Sequence, residues 1–274
     1  MTFNVVSLVN DFLKTSAKSF KLGLSTLYNF IFQLFLREVG IIEKLSIEVL
    51  ESCGRIVPIW QNFILKLLKM LEKQLSQAIL VKDAKFKEIV NDVIIAISKS
   101  IPKESRMCVF LVDGFSIIEH IVTMYYVIQN DYSASMLRII AINPIGKTQY
   151  FIKSQEVETL RMFCKYVVDR LNQLNFNAEY HLRRDLDEFI HTEKELEINE
   201  VIHNLQYILK NIIEEIEHYV RRGYYVLITS DHGYDIVKSI QGLRLMHGLS
   251  TDKVVKYGEV LALSPFIFYT ILHK

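Results

Sequence analysis

Chain-breaking residues are scarce in this sequence. Only four of its 274 residues are proline and ten are glycine, which excludes a long flexible linker. Cysteine is as sparse. Cys53, Cys108 and Cys164 are odd in number, far apart and in no metal-binding spacing. This argues against a disulfide framework and suits buried apolar thiols in a reducing compartment. Neither charge sign dominates: 32 basic residues face 31 acidic ones, for a net charge of +1. A broad nucleic-acid footprint is therefore not expected, although a local basic groove is compatible with the balance. Long apolar runs are missing too. The longest early uncharged stretch, Leu22–Leu36, is interrupted by Asn29 and Gln33 and closed by Arg37 and Glu38. A spanning helix needs about 20 predominantly apolar residues, so this stretch reads as a buried or interfacial helix. No basic segment followed by a small-residue cleavage site stands at the N-terminus, so secretion is not expected. These absences lead to the expectation of a cytoplasmic protein without a transmembrane segment.

Hydrophobic residues are abundant, at 50 % of the chain, enough to bury a sizeable core. The length allows one large domain or a core with an extension. Residues 1–102 read as helical and contain no histidine. Val5, Leu8, Val9, Phe12 and Leu13 recur at helix spacing. A second amphipathic stretch runs from Ser25 through about Leu50. A third carries Trp60, Phe63, Ile64, Leu67, Leu68 and Leu71, and a fourth spans Phe86 to Ile97. These helices suit a bundle or cap on the following domain. A membrane-surface contact or a partner-binding helix pair would draw on the same pattern.

After Pro102 the pattern changes. Arg106–Val112 is a short apolar run that ends at Asp113-Gly114, as a buried parallel strand would. Ile117–Ile128 reads as a helix, with Ser116 as its cap. Gln149–Ile152 reads as a short strand, Glu156–Leu174 as a helix and Asn177–Leu182 as a strand. Asp187 and His191 are four apart, so on a helix they share one face and can converge on one ion. Asn199–Val220 reads as a long helix ended by Gly223. Tyr225–Thr229 is a second buried strand, followed by Ser230, Asp231, His232 and Gly233. Ligands in open α/β sheets sit beyond the carboxyl ends of the strands, which is where this Asp-His pair falls. His247-Gly248 reads as a loop and Pro265–Leu272 as a last strand. Strands alternating with helices predict an α/β fold, a mostly parallel sheet flanked by helices.

In this order the motifs resemble the PglZ domain of the alkaline phosphatase superfamily, found in phage-defence operons and some signalling proteins. Asp113-Gly114-Phe115, the Asp185–His191 segment, Ile228–Tyr234, and His247-Gly248-Leu249-Ser250 followed by Glu259-Val260 carry the resemblance. It covers roughly residues 103–274 and leaves out the N-terminal helices. It implies an alkaline phosphatase-like core that binds two divalent ions, zinc first and manganese second. One ion would take Asp113, Asp231 and His232; the other would take Asp187, His191 and His247. Mixed carboxylate–imidazole sets suit these metals, and two such ions can clamp a phosphoryl group. The implied substrate is a phosphate ester, including nucleotide or nucleic-acid phosphodiesters, and protein partners would dock on the N-terminal helices. The family's nucleophile is a Ser or Thr. Aligned on Arg138–Thr148, Ala141 stands in its place and Asn143 replaces a usual Thr. Alanine cannot attack a phosphoryl group. Three readings follow: Thr148, Ser135 or Ser133 is the nucleophile; activated water attacks directly; or the module binds metal as a silent interaction subunit of a defence complex. Thr148 is the candidate catalytic residue, and Lys147 is the candidate contact to substrate phosphate.

Overall fold

The computed structural model describes residues 5–78, 84–192, 195–238, 242–248 and 260–274. The protein is a mixed α/β fold centred on a five-stranded sheet. The strands are β1 (Arg106–Val112), β2 (Ser133–Ile142), β3 (Asn177–Arg183), β4 (Tyr225–Thr229) and β8 (Phe266–His273), in spatial order β2-β8-β4-β1-β3. β1 pairs in parallel with β3 and β4, while β8 runs antiparallel to both β4 and β2. Four strands therefore share one direction, and their carboxyl ends line one edge of the sheet.

Alternation along the strands fills two apolar layers. Cys108, Phe110 and Val112 of β1 join Val226 and Ile228 of β4 on one face. Met107, Val109 and Leu111 join Leu227 on the other. Both faces are covered, so the strands are continuous apolar runs. The first face is covered by α6 (Ile117–Gln129), α10 (Ile198–Arg221), α1 (Val5–Ser19), α2 (Leu24–Glu38) and α4 (Val57–Ala78). The second is covered by α5 (Ala84–Ser100), α7 (Thr148–Ser154) and α8 (Leu160–Gln173). The helices before β1 thus share their core with the sheet. Trp60 of α4 is fully buried, with its ring 4.7 Å from Phe12 of α1 and 5.3 Å from Tyr125 of α6.

Some elements depart from the sequence reading. The stretch from Ser25 to Leu50 is two helices, α2 and α3 (Ile47–Cys53). They are parted at Gly40, whose φ of 80° suits glycine, and Ser46 caps α3 by accepting Val49 N–H. Gln149–Ile152 lies in helix α7 rather than in a strand. The strand of this region is β2, upstream, an edge strand whose pairing with β8 slips between Met136 and Ile140. That irregularity and the charged Arg138 hide its alternation. The last strand forms as expected but runs antiparallel. Beyond β4, a small antiparallel sheet follows, made of β5 (Asp235–Lys238), β6 (Leu243–Met246) and β7 (Val260–Leu261) in the order β6-β5-β7.

Candidate metal centre

Three carboxyl-end turns and the end of β6 meet at one place. β1 delivers Asp113, whose N–H donates to the Arg183 carbonyl at the end of β3 over 2.9 Å. Gly114 follows at a φ of 80°. A Cβ there would lie 2.9 Å from Ile190 Cδ1 and 3.6 Å from Asp187 Cα. The missing side chain is thus what lets α9 (Asp185–Ile190) lie against the Asp113 turn and bring Asp187 beside it. His191, the C-cap of α9, lies one turn on from Asp187. β4 delivers Asp231 and His232, both fully buried. Gly233 then passes under Leu263, whose carbonyl would lie 2.8 Å from an added Cβ. β6 delivers His247.

All six residues of the expected ligand set come together. His232 Nε2 lies 3.5 Å from Asp113 Oδ1, 3.5 Å from Asp231 Oδ2 and 3.9 Å from Asp187 Oδ1. His247 Nε2 lies 3.8 Å from Asp187 Oδ1 and 2.8 Å from His191 Nε2, which in turn is 3.4 Å from Asp187 Oδ2. Two groups have ligand atoms within 4.8 Å of one another: Asp187 with His191 and His247, and Asp113 with Asp187 and His232. The first is the second-ion set as expected. The second differs from the expected set by holding Asp187, so Asp187 stands between both groups. Asp231 adjoins His232, and its Oδ2 accepts the Thr148 hydroxyl at 2.7 Å.

The donor chemistry fits a cation. His232 Nδ1 sits 2.7 Å from the Gly233 carbonyl, which only accepts, so Nδ1 carries a proton. Nε2 then presents its lone pair among three carboxyl groups, a set that a bound cation would join. The Nε2 atoms of His191 and His247, 2.8 Å apart, share one proton as a hydrogen bond or would turn their lone pairs on a common cation. Asp113 Oδ1, Asp187 Oδ1 and Asp231 Oδ1 are buried and accept no hydrogen bond among the described residues. Buried polar atoms are rarely left so, and metal ligands are the exception that fits. Burial, then the neighbouring carboxylates of Asp231 and Asp187, holds the Asp113 carboxyl well above its usual range. Burial does the same to Asp187. A divalent ion reverses that order by favouring the charged carboxylates.

The hydroxyl of this site belongs to Thr148. It is the first residue of α7, half-buried, with Oγ1 3.1 Å from His232 Nε2. Ala141, aligned with the nucleophile in the sequence, pairs with Ile267 inside the sheet and is buried in the apolar layer under α7. A strand-interior alanine there faces no solvent and no ligand. Ser133 and Ser135 pair with His273 and Ile271, at the end of β2 away from the site. Lys147 is exposed at the rim. Its stem lies along Gly248, where a Cβ would come 2.4 Å from Lys147 Cε. Leu249, Ser250 and Glu259 of the sequence pattern lie outside the described residues.

Sequence reasoning gave Asn143 no role. It is fully buried, and its amide Nδ2 donates to the Asp231 carbonyl and to the Lys147 carbonyl, both at 3.0 Å, while Oδ1 accepts Gly146 N–H. It thereby clamps the turn before Thr148 onto the Asp231 backbone. The Asn-Pro-Ile-Gly turn between β2 and α7 was the signal available for it. Among known proteins, no family model and no curated sequence matches this chain.

Proposed function

We propose that the chain is a metal-dependent phosphoesterase acting on phosphate mono- or diesters, with residues 103–274 as a PglZ-like core of the alkaline phosphatase type. One observation carries this reading: the Thr148 hydroxyl is hydrogen-bonded to Asp231 at 2.7 Å beside two carboxylate–imidazole clusters. A nucleophile held by a carboxylate next to cation ligands is the arrangement phosphoryl transfer needs. Asp113, Asp187, His191, Asp231, His232 and His247 would hold zinc or manganese. When bound, the ions supply positive charge that stabilises the phosphoryl oxygens. Thr148 passes its proton to Asp231 as the Oγ–P bond forms and the ester P–O bond breaks. Asp231 gives that proton to the departing alkoxide, and water then breaks the Oγ–P bond to release phosphate and restore the Thr148 hydroxyl. Asn143 fixes that hydroxyl by holding the preceding turn. Lys147 offers a point charge to a substrate oxygen at the rim.

The test is metal content and hydrolysis of a chromogenic phosphodiester and monoester, measured on wild type and Asp231→Ala together. The reading requires metal in the wild type, less in the variant, and hydrolysis lost with it. Equal hydrolysis by both proteins would rule it out. An interaction role for the N-terminal helices is the second reading. It is favoured by Ile47 and Ile59, exposed at 73 % and 49 % on α3 and α4.

A further inference from the structure

Behind the metal centre lies a fully buried carboxylate that takes no part in it. Glu119, in the first turn of α6, is 1 % exposed. Its Oε1 accepts the Tyr28 hydroxyl at 2.7 Å and the Tyr234 hydroxyl at 2.6 Å. Its Oε2 accepts the Ser116 N–H at 3.2 Å and the Ser116 hydroxyl. One carboxylate therefore receives four hydrogen bonds from three parts of the chain. Tyr28 comes from α2. Ser116 lies three residues after Asp113, and Tyr234 two residues after His232. The two ligand segments also touch directly, since a Cβ on Gly233 would lie 3.2 Å from Ser116 Cα. All four residues are buried.

Resting on the metal reading above, we infer that Glu119 is a positioning residue that sets Asp113 against Asp231 and His232, with Tyr28 tying the N-terminal helices to the same geometry. The lever arms are two to three residues of tightly packed turn. A shift at Glu119 is passed to both ligand segments together. The Ser116–Glu119 pair is the capping box of α6; the two tyrosine hydroxyls extend that cap to α2 and to the turn after His232. Loss of the carboxylate leaves the Tyr28 and Tyr234 hydroxyls, 3.4 Å apart, with only each other to pair with and the Ser116 N–H buried without its acceptor, a loss that favours parting of the turns toward water. Groups that orient metal ligands from behind commonly change affinity about ten- to a hundredfold when removed.

The experiment titrates Co²⁺ into the full chain and reads its visible absorption bands and affinity. The proteins are wild type, Glu119→Ala, Glu119→Gln and Tyr234→Phe. Hydrogen exchange of segments 113–118 and 231–234 is read on the metal-free proteins. Glu119→Ala is expected to weaken Co²⁺ binding at least about tenfold and alter the bands. Glu119→Gln, whose amide oxygen still accepts both tyrosines while its NH2 cannot accept the Ser116 N–H, should fall between wild type and Glu119→Ala. Wild-type affinity and bands in a folded Glu119→Ala would overturn the inference. If that variant does not fold, Tyr234→Phe decides, and unchanged Co²⁺ affinity there overturns it equally. If the wild type itself takes no Co²⁺, the metal reading fails, and exchange decides the inference. Faster exchange in both segments of the variants upholds the coupling, and unchanged exchange refutes it.

Discussion

Thr148 and Ala141 show how much one residue's place matters. They are seven positions apart in one short stretch, yet one touches Asp231 and His232 and the other lies in the sheet interior. Thr148→Ala is expected to lower turnover on a phosphodiester by at least about a hundredfold with metal content unchanged, and Thr148→Ser to retain part of it. Steady-state rates with elemental analysis of the same samples check this. His120 is a second single-residue case. It is buried between Phe115 and Phe268, and burial pushes its imidazole down to about 3. The unfolded chain binds a proton near 6.5 that the folded one refuses. Its neutral form therefore adds full stability above pH 6.5, and that contribution is lost as pH falls toward 3. In chelator, His120→Phe should remove up to about 1.4 kcal/mol per pH unit from the acid slope. Urea unfolding at pH 5 and 7 measures it.

At the level of elements, the site depends on turns that only glycine permits. Gly114 joins β1 to α6 at positive φ with α9 packed against its α-carbon. Gly114→Ala is expected to cost about 1–3 kcal/mol through backbone strain. It should also push Ile190 and α9 outward, away from Asp113. Chemical denaturation reports the first effect. Metal affinity reports the second, which should exceed the loss of a Gly223→Ala control: Gly223 also has positive φ, but nothing lies near its α-carbon. The register of β1 with β3 and β4 brings the carboxyl ends of all three strands to one edge, and the short turns there carry the ligands.

For the whole molecule, the six ligand-type residues come from four separated segments, so a metal held by them would bind the folded chain and not the unfolded one. A ligand present at about 100 times its dissociation constant then stabilises by about 2.7 kcal/mol. Zinc or manganese should raise the wild-type unfolding midpoint accordingly, a chelator should reverse it, and Asp231→Ala should respond to neither. The first face of the sheet and helices α1, α2 and α4 form one apolar cluster. Stability in the metal-free protein therefore rests on both together. Among the described residues no helix is long and apolar enough to cross a membrane.

Much of this was legible from residue order alone. Strands β1 and β4 are short apolar runs that end on turn residues, and a run of that kind has few other stable uses; edge strand β3 is mixed in composition and only partly buried. Asp113, Asp187, Asp231 and His232 were legible because ligand-type side chains stand just past those runs. Edge strand β2 was not, because its pairing slips between Met136 and Ile140 and its apolar period is broken at Arg138. The antiparallel direction of β8 could not be read, since a buried strand has the same composition either way. That Thr148 and not Ala141 lies beside Asp231 was likewise set by where β2 ends against Pro265 and by the Asn143 clamp. The convergence on Glu119 of α2, α6 and the turn after β4 joins residues up to 206 positions apart. Local sequence determines which segments are strand, helix or turn, because propensity and burial period act over a few residues. Only tertiary packing decides which turns meet, because that depends on contacts between segments far apart in the chain.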